Sequence, residues 1–372
     1  MRFSSRCLTI ALLTVCVISI RFYLSPQSIA APVPPPDTGT EAALREFAMI
    51  RPIDTHAHVF KNDPSFQDFL ARVRLTLLNI LVIDDTAAYA SKLEPERADA
   101  LAAIHGSAGH MVLCTTFDPY KFADPHFAEQ AIRQLDQDFA HGAVAVKLWK
   151  NVGMEIRRPD GAFVQPDDPI FEPIYKDIEE HHRTLVAHLA EPDSCWAPPS
   201  QSPDYNGYYK EHPAWYMYEH PDHPSKETLL AARDHLLEMN PHLRVVGAHL
   251  GSMETDVNQI AKRFDKYPNF AVDTAARVRY LMLQPREKVR TFLIEYQDRV
   301  LYGTDLSFSV DGNVQEALKY WKETYAQDWK FFATDETVIQ DGKGIRGLNL
   351  PGPVLRKIFR ENAIRWVPGI VK

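Results

Sequence analysis

An α/β chain closed into a (β/α)8 TIM barrel is the fold this sequence predicts, on three observations. Eight short apolar runs recur between residues 52 and 305, and amphipathic stretches with helical spacing separate most of them. The first run is not followed by the glycine-rich phosphate turn that a doubly wound open sheet would usually carry. Alternating strands and helices demand parallel strands, because parallel neighbours need a crossover connection. With 372 residues, 45% apolar and 24% charged, the chain can bury such a core and is too apolar for a disordered tail.

The runs, in order, are residues 52–59, 78–83, 111–117, 143–149, 184–190, 243–249, 269–274 and 299–305. Helical spacing occupies 124–140, 169–182, 225–239, 254–267 and 285–296. Residues 191–224 break the alternation as an extended loop insertion after strand five. They are rich in proline, histidine and aromatics, including Trp196, Tyr205, Tyr208, Tyr209, Trp215, Tyr216 and Tyr218. Their place at the barrel mouth suits substrate binding, a packed cover over the rim, or both.

Residues 1–36 read as a separate leader. Arg2 and Arg6 precede a fourteen-residue apolar run over 7–20, short for a membrane span but suited to a secretory signal. Ser28-Ile29-Ala30 offers a small-x-small cleavage site, while Arg21 and a ten-residue gap before it leave an uncleaved anchor as the alternative. Both readings predict export to the periplasm or medium, with a proline-rich linker at 32–36 and the barrel over 37–372. Cys7 and Cys16 belong to the leader; pairing of Cys114 with Cys195 stays open.

The net charge of −8, from 41 basic and 49 acidic side chains, leaves no surplus to neutralise phosphates. Nucleic acid is therefore excluded as the expected partner. A small-molecule substrate is expected, with membrane contact only through an uncleaved anchor; a homo-oligomer is compatible with this composition.

The chemistry sits at the ends of the runs. The first contains Asp54-Thr55-His56-Ala57-His58, and strict strand alternation puts Asp54, His56 and His58 on one face. Two imidazoles at i and i+2 can share a metal ion. The fifth run brings His188 to its carboxyl end, the sixth His249 and the eighth Asp305. In a parallel barrel these ends converge on one rim, and buried imidazoles and carboxylates without a metal would be costly. The set matches one catalytic divalent ion, Zn²⁺ first, with Mn²⁺ or Fe²⁺ as alternatives. Ala145, Gly247, Ala271 and Gly303 are read as small inward neighbours that leave room there.

On these residues the sequence resembles the amidohydrolase superfamily, in the amidohydrolase-related branch that also contains aminocarboxymuconate semialdehyde decarboxylase. The motifs are D-x-H-x-H at the first strand, A-H-L-A-E-P around His188, G-A-H-L-G-S around His249, Y-G-T-D around Asp305, and Asn362-Ala363 near the end. The resemblance implies that His56, His58, His188 and Asp305 bind one metal. It also implies that Asp305 moves the proton of activated water, and that His249 orients the water or polarises the substrate. Some superfamily members carry a carbamylated lysine bridging two metals where Lys147 stands. An unmodified Lys147 that binds a substrate carboxylate or pairs with Asp305 is the reading favoured here.

Glu191, Asp273 and Arg277 are further substrate-binding candidates, although an Asp273–Arg277 salt bridge would explain that pair equally well. Lys150 reads as a solvated loop lysine, Asp84 and Asp118 as caps, and His181 and His182 as helix-end residues. No serine nucleophile elbow is present. The expected activity is metal-dependent hydrolysis of an ester, lactone or amide. Non-oxidative decarboxylation or hydration of a small carboxylic acid is the alternative, and a non-catalytic metal-binding barrel the third.

Overall fold

The computed structural model describes residues 38–83 and 93–371. The leader with Cys7 and Cys16, and Asp84 in the second loop, lie outside the described residues. Each apolar run supplies a strand to one parallel sheet. The strands are β1 Ile53–Val59, β2 Thr76–Ile80, β3 Met111–Thr116, β4 Ala145–Leu148, β5 Thr184–Ala187, β6 Arg244–Gly247 and β7 Phe270–Asp273. Successive strands pair in chain order, as a (β/α)8 barrel requires.

The eighth run does not stay whole. It gives only β8, Val300–Leu301, against β7, and the residues just past it give β9, Leu306–Phe308, against β1. Between them the Thr55 amide donates to Tyr302 O at 2.9 Å and the Asp305 amide to His56 O at 2.8 Å. The cylinder closes through this divided strand, and Asp305 stands at the break.

The intervening helices follow from caps and apolar spacing. Asp63 caps Pro64–Val73, Ser225 caps Lys226–Met239 and Asn313 caps Val314–Ala333, each accepting from first-turn amides. Asp118 caps the short turn after β3, as expected, by accepting from Tyr120 N. Helix Val257–Lys266 buries Val257, Ile260 and Phe264, one stripe at helical period. Inside the cylinder, Ile53, Ile80, Cys114, Val186 and Val246 form a small apolar plug that Trp366 closes from below. Asn362 fastens that closing segment, its Nδ2 donating to Gln297 O and Val300 O, both at 2.7 Å. A much larger apolar layer joins the strands to the helices.

β1 departs from strict alternation. Its register against β2 slips between Asp54 and Ala57, the mark of a bulge. Ile53 therefore faces the inner plug while Ala57 and Val59 face the outer layer, and the extra residue turns His56 and His58 inward. Asp54 does not share their face, which corrects the expectation from period alone. It accepts instead from the Tyr325 hydroxyl on the outer helix, at 2.7 Å. Gly247 is likewise not inward, since a Cβ there would lie 2.7 Å from Phe270 Cζ in the outer layer. Gly303 does face the centre, where a Cβ would sit 3.1 Å from His56 Cβ.

The outer layer holds one acid with a testable consequence. Asp328 accepts from Tyr302 OH at 2.8 Å, and burial, with help from Asp54, pushes its carboxyl up to about 7 from an ordinary 3.8. An acid raised in the folded state destabilises it once the unfolded chain would ionise. Stability attributable to Asp328 should thus fall as pH climbs from about 4 to 7, by on the order of 4 kcal/mol. Asp328→Asn is expected to be more urea-resistant than the parent at pH 8 and no better at pH 4. Equal gains at both pH values would refute this.

The insertion after β5 is built of short turns. Tyr209, Trp215, Tyr216 and Met217 are buried in the outer layer, so it packs over the rim as well as lining the mouth. Cys195 Sγ donates to Trp215 O at 2.9 Å, and Cys114 and Cys195 are separate buried thiols. Among the described residues no helix is long and apolar enough to cross a membrane.

Candidate metal centre

The bulge in β1 and the break in the eighth strand bring three donors together. Ligand atoms of His56, His58 and Asp305 all lie within 4.8 Å of one another. Asp305 Oδ1 is 3.2 Å from His58 Nε2 and 3.4 Å from His56 Nε2. Each imidazole is fixed from behind. Asp273 Oδ2 holds His56 Nδ1 at 2.8 Å, and Ile80 O holds His58 Nδ1 at 2.8 Å. Both rings therefore offer Nε2 to the centre, the arrangement that orients metal-binding histidines.

His188 stands beside this set rather than within it. Its Nε2 is buried with no hydrogen-bond partner and lies 3.7 Å from Glu191 Oε1. Its ring is 4.2 Å from that of His249, which is 4.9 Å from that of His56. Burial drives the His188 and His249 rings well below the usual histidine range, and burial with the Lys147 charge lowers His56. Neutral imidazoles are the form that binds a divalent ion. Burial favours a protonated Asp305, but His249, His58 and His56 outweigh it and hold its carboxyl well below the usual range. Neutral imidazoles, an ionised carboxylate and an orphaned ring nitrogen fit one such ion. The metal's identity is a separate matter.

His249 owes its position to an unusual piece of backbone. His249, Leu250, Gly251 and Ser252 have φ of 59°, 57°, 59° and 58°, a left-handed turn costing non-glycine residues about 1–2 kcal/mol each. Tethers hold it. His249 N donates to Asp273 Oδ1 at 2.8 Å, Arg233 Nη1 to Gly251 O at 2.6 Å and Ser252 Oγ to Ala190 O at 2.6 Å. The ring nitrogen Nδ1 is engaged by Ala275 O at 2.9 Å, leaving Nε2 for the cavity.

The remaining candidates divide. Lys147 is buried with Nζ 3.1 Å from His56 Nε2, so it contacts the centre through His56, with no ion pair to Asp305. Its ammonium is disfavoured by burial, with Asp273 and Asp305 opposing. Asp273 is fully buried, bonded to His56 and to the His249 and Ala275 amides, and does not line the cavity. Its expected place on the substrate, or in a pair with Arg277, is corrected to orienting His56. Arg277 does line the cavity, with Nη1 on Ala276 O at 3.2 Å and a buried Nε that finds no partner.

Lys150 overturns its reading as a solvated residue. It is 1% exposed, ion-paired with Glu191, and donates to Tyr208 OH at 2.8 Å. Its Nζ lies 5.1, 4.9 and 4.5 Å from the ring centres of Trp149, Tyr208 and Trp215. Burial opposes its charge, but Glu191 and Tyr208 prevail and raise its pKa. Glu191 also accepts from Tyr209 OH at 3.3 Å. The aromatic insertion thus clamps a buried ion pair beside His188. A second clamp joins the insertion to the short helix Val278–Leu283 that follows β7, where Arg279 and Tyr280 bind Asp204.

These walls enclose a cavity of about 880 Å³. The far side is formed by Tyr320, Glu323 and Gln327 of helix Val314–Ala333 and by Gln340 of the following hairpin, a wall absent from the sequence expectation. These residues lie beyond the last barrel strand, and no strand-end pattern marks them.

A family model described as Amidohydrolase matches residues 53–369. No curated protein matches the chain. Among solved structures the chain is similar to 2,6-dihydroxybenzoate decarboxylase from Rhizobium. Identity there is 14%, over 84% of this chain and 98% of that one, with a TM-score of 0.48. It is also similar to a probable 2-pyrone-4,6-dicarboxylic acid hydrolase from Acinetobacter baumannii, at 13% identity, 85% and 99% coverage and a TM-score of 0.47. The 4-oxalomesaconate hydratase of Rhodopseudomonas palustris gives 13%, 86% and 96%, and 0.45.

Proposed function

The chain belongs to the amidohydrolase family of metal-dependent enzymes, and from that premise we propose that it acts on a small carboxylic acid as a non-oxidative decarboxylase or hydratase. The observation that carries this reading is Arg277. Lys150 and Arg279 are committed to Glu191 and Asp204, while Arg277 faces the cavity with no ion pair among the described residues. A guanidinium held near neutral imidazoles invites a carboxylate, which it can grip with two parallel hydrogen bonds.

The ligand set proposed is His56, His58, His188 and Asp305 around one divalent ion, Zn²⁺ or Mn²⁺ before Fe²⁺. When bound, such an ion polarises substrate oxygen and acidifies water. The chain's own residues do the rest. Arg277 binds the carboxylate, and Lys147 adds a donor at the His56 side of the cavity; Trp149 and Tyr208 cover a flat carbon skeleton and keep bulk water away. His249, whose Nδ1–H donates to Ala275 O, presents a neutral Nε2 that can accept a hydrogen bond from substrate or water. In a decarboxylation the carbon–carboxylate bond breaks, its electron pair stays on carbon, and a proton takes the place of CO₂. Asp305, ionised at rest and facing the cavity, would first take a proton from water or a substrate hydroxyl and then pass it to that carbon; in a hydration it would relay a proton from water.

Hydrolysis of an ester, lactone or amide is the second reading, and the ionised Asp305 carboxylate favours it because water activation needs such an acceptor. Export of the enzyme through its leader belongs to the same proposal. Metal-stripped enzyme should regain turnover with one divalent ion, releasing CO₂ or hydrating carboxylic acids in preference to cleaving uncharged esters and lactones. Arg277→Gln should raise KM for the acid by about 10–100-fold, the worth of a charged hydrogen-bonded contact, with kcat less affected. Turnover confined to uncharged esters, indifferent to Arg277→Gln, would establish hydrolysis instead.

A further inference from the structure

Resting on the metal reading above, we infer that Asp54 is the positioning residue of the centre, one buried carboxylate that ties the backbone of ligand His56 to the backbone that presents ligand Asp305. Asp54 is fully buried and accepts four hydrogen bonds. Its Oδ1 receives the His56 amide at 2.9 Å and the Thr304 amide at 3.1 Å. Its Oδ2 receives Thr304 Oγ1 at 2.6 Å and the Tyr325 hydroxyl at 2.7 Å. The two strands it joins lie 250 residues apart in sequence and carry three of the four proposed ligands.

The need for such a tie is visible in the backbone. Asp305 has φ +67°, a conformation that non-glycine residues leave unless held. Thr304, immediately before it, has both its amide and its hydroxyl on Asp54, and Thr304 Oγ1 in turn accepts from the Leu306 amide at 3.2 Å. On the other side the Asp305 amide is bonded to His56 O at 2.8 Å. Both ligand residues thus hang from Asp54 by backbone groups that have no sheet partner at the break and the bulge.

Asp54 is itself anchored from outside the barrel. Tyr325 lies on helix Val314–Ala333, and its ring stacks on Phe47 at 5.2 Å between centres. The dependence runs from the outer helix through Tyr325 to Asp54, and from Asp54 to His56 and Asp305. Asp54 does not line the cavity, so its influence on a substrate passes through the ligands it places. The motif's aspartate is then explained by the bulge: two residues before His56 and turned outward, it reaches the break in the eighth strand.

Metal-stripped wild-type, Asp54→Asn and Tyr325→Phe proteins, titrated with Co²⁺ and followed by its visible spectrum, test the inference. Thermal unfolding of each metal-free protein is recorded alongside. Asn keeps the shape and one acceptor but turns the other oxygen into a donor facing Thr304 Oγ1 and Tyr325 OH. Asp54→Asn is expected to weaken Co²⁺ binding about 10–100-fold, the usual effect of losing an outer partner of a metal site, and to shift the spectrum. Tyr325→Phe, with Asp54 retained, should move affinity and spectrum the same way by a smaller factor, with kcat falling more than KM changes. Unchanged affinity and spectrum in Asp54→Asn overturn the inference, whatever happens to its stability. If that variant does not fold, an unaltered Tyr325→Phe overturns it instead. Failure of wild type to take up one Co²⁺ per chain would sink the metal reading as well, which separates the two failures.

Discussion

Asp305→Asn is expected to fold and to turn over substrate about 10³-fold more slowly than the parent. Asn has nearly the same volume and can still bond His58, whose Nε2 lies 3.2 Å from Asp305 Oδ1. What it lacks is charge and the ability to take or give a proton. A positioned acid–base group contributes about 10²–10⁴ in rate, and here the same carboxylate also neutralises charge at the centre. Its pKa direction sharpens the point. Burial alone would raise the Asp305 carboxyl, yet the histidines facing it bring it well below the usual range, so the group is a carboxylate at neutral pH. The assay is kcat/KM on the best carboxylic acid substrate, with metal content measured on the same sample. A loss below tenfold with metal fully bound would show that the proton moves through another group.

Lys150→Ala should cost about 3–5 kcal/mol of stability, the largest structural penalty expected from a single substitution at this site. Lys150 and Glu191 are both buried and paired. Removing the lysine leaves a buried carboxylate beside the space that Trp149, Tyr208 and Trp215 form around the ammonium, with Tyr209 OH as its remaining hydrogen-bond donor. The neutral pair Lys150→Met with Glu191→Gln should recover much of the loss, because a buried ion pair contributes little net stability over well-packed neutral groups. Urea unfolding at pH 7 measures both. If Lys150→Ala unfolds within about 1 kcal/mol of the parent, Glu191 is hydrated or protonated at no great cost and the clamp is ornamental.

Much of the barrel was legible because its signal is local. Apolar runs and helical spacing are set by which faces a residue buries, and the eight runs reappear as the strands of one closed parallel sheet. Convergence of His56, His58 and Asp305 follows from the same rule, since parallel strands end on one rim. The errors share a different cause. Alternation alone puts Asp54 on the wrong face, because a bulge adds one residue without a composition signal. Asp273 and Arg277, four apart, suggested a local pair, whereas Asp273 reaches His56 across 217 residues. Lys150 reads as solvated because, apart from its neighbour Trp149, the rings and the acid that bury it lie far along the chain, Tyr208 and Trp215 in an irregular insertion with no period. The helix wall of the cavity was invisible for a similar reason, being set by docking against the last strand.

The turn that carries His249 has a consequence for how this rim can move. An ordinary loop loosens one residue at a time, but four successive residues of mirrored handedness each hold their neighbours in place through separate anchors on Asp273, Ala190 and Arg233. Unwinding any one of them alone leaves the others still wound, so the segment behaves as a latch. Amide exchange at positions 249 to 252 should accordingly rise in concert, as a single opening event rather than gradual fraying.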